Sequence, residues 1–283
     1  MVEGTRNSIE TAAARELLAA AAHEAGRIAL SHFREGERTR ARIQYKSGGS
    51  PVTEADLAVD AFLKRDLMNA FAGAGWLSEE TEDDASRLDH SPVLVVDPID
   101  GTRAFIDGDP RWAVSIALVE AGRPVAGVVY APALGETYTA AARGGASLNG
   151  RAIAVSARET LDGARIGGPR ALTQSIERGA GLFFALEPKI PSLAYRIALV
   201  ASGAIDLGLA SDKAHDWDIA AVDLILEEAG GALVDARGKT LKYNQGETRH
   251  PVLFAASRRL IGPFIAAAAL AGVGQDRALA PGA

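Results

Sequence analysis

The stretch Val93-Leu-Val-Val-Asp97-Pro-Ile-Asp100-Gly-Thr102 decides how this chain is read. Its unbroken apolar run, ending in Asp97, predicts a buried strand. Pro98 then breaks the strand, a second carboxylate follows at Asp100, and Gly101-Thr102 closes a turn. A carboxylate at the end of an apolar strand is costly to bury unless it is paired or bound to a cation. Two of them three positions apart at a strand tip can converge on a hard divalent ion, and Mg2+ takes oxygen ligands, usually a few carboxylates plus substrate phosphate. Gly101 allows close backbone approach to a ligand, and the Thr102 hydroxyl can polarise a water. The N–H groups of Gly101 and Thr102 offer a cradle for an anion at a turn or helix start. The competing reading, an Asp-rich turn with no further purpose, does not explain why a wholly apolar strand ends in Asp97.

The chain has 283 residues, enough for a large core in one big domain or two smaller ones. It contains no Cys, which excludes disulfides, thiolate metal sites and a cysteine nucleophile, and is compatible with a reducing compartment. A net charge of −6 leaves no electrostatic footprint for a nucleic-acid polymer. The longest apolar stretch, 264–274, is far below the roughly 20 residues of a bilayer span. Glu10, Arg15 and Glu16 interrupt the Ala-rich N-terminus, so it does not read as a signal peptide, and a cytoplasmic enzyme with no membrane partner is expected.

Helical spacing runs over 8–34, a loop follows at Lys46-Ser-Gly-Gly-Ser-Pro51, and a second helix is expected from Thr53 to about Phe71 with Leu57, Ala61 and Leu67 inward. Segments 112–119 and 125–130 read as a hairpin, 136–141 adds a strand, and 151–155 returns to β character. Beyond about 158 helix and strand alternate. Helices are expected from Ser192 to Gly203, over 217–229 and near 258–272, strands over 232–235 and 252–256, and a frayed tail thereafter. This suggests two intimately packed units, 1–155 and 156–283.

Other acidic groups carry two readings each. Thr53-Glu-Ala-Asp56 is a helix capping box, yet Asp56 can also orient a hydroxyl such as that of Thr102, provided its side chain turns from the backbone. In Ser78-Glu-Glu-Thr-Glu-Asp-Asp84 the last three acids read as solvated surface, whereas Glu79 and Glu80 follow apolar Trp76-Leu77 at a strand end, near Asp97. Asp218 is either a first-turn acid stabilised by the helix dipole or a ligand at the helix mouth. His215 reads as a polar loop residue, since a hard-metal site does not call for imidazole. Lys46, Arg170, Lys189, Arg196 and Lys213 are surface charges by default, any of which can reach a second phosphate. No Walker loop or Gly-x-Ser-x-Gly elbow is present.

In order along the chain, Pro51-Val-Thr-Glu-Ala-Asp56, Ser78-Glu-Glu80, Asp97-Pro-Ile-Asp-Gly-Thr102 and Trp217-Asp-Ile-Ala-Ala221 resemble the inositol monophosphatase superfamily of Mg2+-dependent, lithium-sensitive phosphatases. The resemblance implies an α+β or α/β fold, a layered α-β-α-β-α sandwich. It implies Glu79, Asp97, Asp100, Asp218 and the Ile99 carbonyl as ligands of two or three Mg2+ ions. Asp56 and Thr102, with Glu79, would activate the attacking water, while the Gly101 and Thr102 amides, Asp218, Lys46 and Arg196 would contact a small phosphorylated substrate. A homodimer is also implied. Ser78 departs from the Gly common before the Glu pair.

Within that superfamily the loop 46–56 and Gly127-Val-Val-Tyr-Ala-Pro132 look most like bacterial 3'(2'),5'-bisphosphate nucleotidases, with Arg196 where those enzymes often carry a Lys. Inositol-1-phosphatases, which carry an acidic substrate ligand before the Trp-Asp motif, are the alternative; Asp212 lies in that region. Histidinol phosphatases share Asp100-Gly-Thr-Arg-Ala-Phe105 and rank next. A catalytically inactive binding module is disfavoured because every expected carboxylate is present.

Overall fold

The computed structural model describes residues 3–46 and 48–274, with side chains from residue 10 onward. The elements begin with α1 (Glu3–His32), β1 (Ile43–Tyr45), β2 (Pro51–Thr53), α2 (Glu54–Ala70), β3 (Gly75–Ser78) and β4 (Val93–Asp100). They continue with α3 (Thr102–Asp107), β5 (Ala113–Glu120), β6 (Arg123–Ala131), β7 (Glu136–Ala141), β8 (Ala146–Leu148) and β9 (Arg151–Ala152). The remainder comprises β10 (Ala164–Gly167), α4 (Arg170–Ala180), β11 (Phe184–Leu186), α5 (Leu193–Ala201), β12 (Leu207–Ala210), α6 (Asp216–Glu228), β13 (Gly231–Asp235), β14 (Leu253–Ser257) and α7 (Ile261–Leu270). The tail expected to fray lies mostly outside the described residues, as does Ser47.

Strands β3 to β9 form a seven-stranded sheet in sequence order, and β11-β10-β12-β14-β13 form a five-stranded one. The first sheet is buried on both sides. Along β4, Leu94 and Val96 pack toward α1 and α2, while Val93 and Val95 face a central layer that includes α5 and α6. That is why its sequence is continuously apolar instead of alternating. The second sheet closes the central layer from the other side and carries Phe264, Ala267 and Ala268 of α7 on its outer face. The result is the α-β-α-β-α sandwich. Among the described residues no helix is long and apolar enough to cross a membrane.

Three expectations shift. The strand expected to end at Asp97 continues to Asp100 across a bulge. On α2, Leu67 is buried, but Leu57 and Ala61 face outward; the stripe runs through Ala55, Val59, Leu63 and Leu67, a four-residue spacing phased by the Thr53 cap. The β character expected over 151–155 shrinks to two residues.

Helix α6 lies directly on β6, and Gly127 makes this approach possible: a Cβ there would stand 2.9 Å from the Ala221 carbonyl oxygen and 3.1 Å from its Cα. Both contacts are backbone, so neither can rotate away. Gly127→Ala is expected to destabilise the protein by about 1–3 kcal/mol through overpacking, read as a lower urea midpoint with an unchanged m-value.

Candidate active site

Strand register gathers the acidic groups. Strand β3 runs parallel to β4 with Ser78 beside Val96, and the Glu79 N–H donates to the Val96 carbonyl at 3.2 Å, bringing Glu79 level with Asp97. Between β4 and β5, Asp97 pairs with Ser115 and Asp100 with Ala113, so three steps on one strand match two on the other. In a regular strand, residues three apart point to opposite faces. The extra residue at Pro98-Ile99 restores the parity, and both carboxylates emerge on the face of Val93 and Val95, toward the central helices. From that layer α6 contributes Asp218 in its first turn. One oxygen from each of Asp97, Asp100 and Asp218 lies within 4.8 Å of the others.

Each carboxylate is also anchored to the protein. Asp97 Oδ1 accepts from the Ile99 N–H (3.1 Å), and Asp218 Oδ2 from the His215 N–H (2.6 Å). Asp100 Oδ2 accepts from Ser192 Oγ (2.7 Å) and the Ala194 N–H (2.6 Å) at the start of α5. The opposite oxygen of each is thereby left for a ligand. Burial, then the neighbouring charge of Glu79, holds Asp97 well above the usual carboxylate range; burial, then Asp100, does the same for Asp218. Asp100 is pushed to about 6 by burial despite its donors, and Asp56 likewise to about 6 by burial. Like charges at this spacing repel strongly in a low-dielectric site, and an oxygen-seeking cation is what such a donor set fits.

Asp56 serves two neighbours at once without leaving the backbone. Its Oδ2 accepts from the Thr53 N–H (2.8 Å) and Thr53 Oγ1 (2.5 Å), completing the capping box, while Oδ1 lies 3.2 Å from Thr102 Oγ1. The condition that the side chain turn away is therefore unnecessary, because its two oxygens divide the work. Thr102 Oγ1 is equally 3.2 Å from the Ile99 carbonyl, so one hydroxyl proton is shared between two acceptors.

The cleft has a volume of about 230 Å³, and its walls include Glu79, Asp97, Asp100, Thr102, Arg103 and Lys189. Gly101 and Asp218 also line it. Glu79 stands beside the three aspartates instead of among them, its Oε1 held by Lys46 Nζ at 2.9 Å. Lys46 also binds Glu80 Oε1 at 2.9 Å, so it meets acids and not open cleft. Arg196, expected at the substrate, is not on the cleft wall: its stem packs on Gly167, Nη1 donates to the Ile190 carbonyl (3.4 Å), and its buried Nε has no partner among the described residues. From there it offsets the charge of Asp100 and Asp218. His215 stacks flat on Trp217 with centroids 4.6 Å apart, outside the aspartate cluster.

Several supporting residues escaped the sequence reading. Ser192 was legible as a helix cap, and its Oγ does accept from the Tyr195 N–H (3.0 Å), but its bond to Asp100 was not foreseeable. Asp60 holds the Glu79 loop through Ser78 Oγ (2.5 Å) and Thr81 Oγ1 (2.7 Å), which accounts for Ser78 at that position. The available signal was an acid one turn after Asp56 on the same helix. Asp83, in the run read as solvated, is exposed but pairs with the buried Arg87, which also reaches Asn244 Oδ1 (2.6 Å) across the molecule.

A sandwich of this kind with three carboxylates clustered at a strand bulge has the donor set that could hold a metal ion for hydrolysis, and comparison with known proteins gives the family. The model of the inositol monophosphatase family matches residues 13–269. Inositol-1-monophosphatase of Rhizobium meliloti is 34% identical over 229 residues, covering 77% of this chain and 84% of that protein. The 3'(2'),5'-bisphosphate nucleotidase CysQ of Haemophilus influenzae is 29% identical, with 77% and 84% covered. The crystal structure of the extragenic suppressor protein suhB from Bartonella henselae superposes with a TM-score of 0.80 at 29% identity, covering 90% of this chain and 98% of that one. The chain belongs to the inositol monophosphatase family and is a phosphoric monoester hydrolase.

The raised carboxyls set a pH dependence. Asp56 and Asp100 ionise near 6 in the folded protein against an ordinary 3.8. A carboxyl whose pKa rises on folding favours the folded state while protonated, and that contribution is lost as pH climbs through the folded value. Without divalent cations the melting temperature is therefore expected to fall between about pH 4 and pH 7, and stabilisation by added Mg2+ to grow over the same interval. Thermal melts with and without the ion check both slopes; a Mg2+ shift independent of pH would contradict them.

Proposed function

We propose that this protein is a Mg2+-dependent phosphomonoesterase whose substrate is a 3'(2'),5'-bisphosphorylated nucleotide. The observation that carries the metal-dependent reading is the convergence of Asp97, Asp100 and Asp218, each tethered by one oxygen and offering the other. With the Ile99 carbonyl they form an all-oxygen set suited to Mg2+, two or three ions by family precedent, and Glu79 joins once Lys46 releases its Oε1. Bound Mg2+ supplies Lewis acidity and a lowered pKa for water.

The chain's own groups do the rest. Asp56 fixes Thr102 Oγ1, so that the hydroxyl can accept from a water and point it toward the cleft. Gly101, at φ 94° in the left-handed region, turns the backbone into α3 and presents the Gly101 and Thr102 N–H groups to the phosphate. Lys189 on the cleft wall draws in the dianion.

Two features support the bisphosphate. Arg103 stands on the cleft wall beside Lys189 as a second cation, available to a second phosphate. Asp212, which lies in the region where inositol phosphatases carry an acidic substrate ligand, is exposed and tied to Arg249, whose Nε donates to its carbonyl and whose Nη2 lies 3.4 Å from its Oδ2. The second reading, inositol-1-phosphatase, is favoured by the higher identity to the Rhizobium meliloti enzyme. Lithium inhibition, a homodimer and a cytoplasmic location accompany the proposal on the strength of the resemblance.

Phosphate release from adenosine 3',5'-bisphosphate, inositol 1-phosphate and histidinol phosphate is the discriminating assay, the first expected to have the highest kcat/KM. Asp97→Asn is expected to lower kcat by about 10³-fold or more and Thr102→Val by about 10²-fold. Near-normal turnover by Asp97→Asn would remove the metal assignment.

A further inference from the structure

A second cavity, of about 210 Å³, opens beside the catalytic cleft and shares Pro51 and Arg103 with it. Its other walls are Arg38, Tyr45, Ile106 and Asp107. The backbone behind these side chains is fixed. Gly36 N–H donates to the Gly108 carbonyl (2.9 Å) and Thr39 N–H to that of Ile106 (2.8 Å), stitching the 36–39 segment to α3. Gly108 has φ 77°, and a Cβ there would meet the Glu37 carbonyl oxygen at 2.4 Å, so the two segments touch backbone to backbone. Tyr45 is held opposite Pro51 by the β1–β2 pairing and leaves 68% of its surface exposed.

The charges there are not consumed by the fold. Arg111, Arg123 and Arg249 are engaged by acids, whereas Arg38 and Arg103 are exposed and make no ion pair among the described residues, not even with Asp107. Two guanidinium groups and an open aromatic face, contiguous with a phosphate-hydrolysing cleft, are the elements that recognise a phosphate borne on a planar base.

We infer that this cavity is the specificity subsite, in which Arg38 and Arg103 hold the phosphate that is not hydrolysed and Tyr45 stacks against the base. The inference rests on the bisphosphate-nucleotide reading. It also explains how selectivity arises although Arg196 lies behind the aspartates and Lys46 is bound to Glu79 and Glu80.

The test compares kcat/KM for adenosine 3',5'-bisphosphate and adenosine 2'-monophosphate in the wild type, Arg38→Ala, Arg38→Glu and Lys189→Ala. The ratio between the two substrates is expected to fall about tenfold in Arg38→Ala, further in Arg38→Glu, and chiefly through KM. Tyr45→Ala should raise KM for both nucleotides and leave inositol 1-phosphate the least affected. A wild type that prefers the bisphosphate, combined with an Arg38→Glu ratio equal to it, overturns the subsite alone. The same holds if the preference collapses only in Lys189→Ala. A wild type with no preference overturns the substrate reading and the subsite with it.

Discussion

Asp97, Asp100 and Asp218 are forced to share a space less than 5 Å across against their mutual repulsion, and most of the surrounding structure serves that constraint. The bulge at Pro98-Ile99 turns two of them to one face. Ser192 and the first amides of α5 grip Asp100, and the N-cap amide of α6 grips Asp218. Helix N-termini are suited to this because their free N–H groups and dipole favour negative charge. The site is thus a junction of one interrupted strand, which supplies two acids, and two helix starts, of which α6 supplies the third acid and α5 the donors that steady Asp100.

The five-layer arrangement gives that junction its rigidity. Helices α5 and α6 lie between two sheets, so neither can shift without disturbing packing on both sides. Gly127 brings α6 down onto β6, and Asp223 near the middle of α6 is pinned by Tyr243 Oη at 2.9 Å and Arg123 at 3.3 Å. Asp216, at the head of the same helix, lies 2.7 Å from His250 Nε2 and accepts from the Asn244 N–H at 2.7 Å. Arg87 links that segment to the loop after Glu79. Groups on the first sheet and in the 243–250 segment therefore set the position of a single carboxylate, Asp218.

Charge is distributed by depth. Lys46 and Arg196 sit against or behind the acidic groups and temper them, while Arg103, Lys189 and Arg38 stand at the open edge, where a phosphate would first be met. A cleft that is acidic at its floor and basic at its rim suits a phosphate ester approaching bound cations, since each sign of charge is placed where its partner arrives.

Much of this was legible in the sequence, because the relevant signals are local. A continuous apolar run means a strand covered twice, Thr53 and Asp56 spell a capping box, and a carboxylate closing a buried strand demands a counter-ion. The ordered motifs pointed to the family and its sandwich. What only the tertiary structure decided were relations between distant residues. These include Ser192 bound to Asp100, Asp60 holding Ser78, Arg196 facing inward, Asp212 drawn to Arg249, and Arg38 brought beside Arg103. The physical reason is that a side chain's type and backbone setting follow from its neighbours in the chain. The direction it takes, and the partner it finds, depend on strand register and helix phase, and there a shift of one residue reverses the outcome.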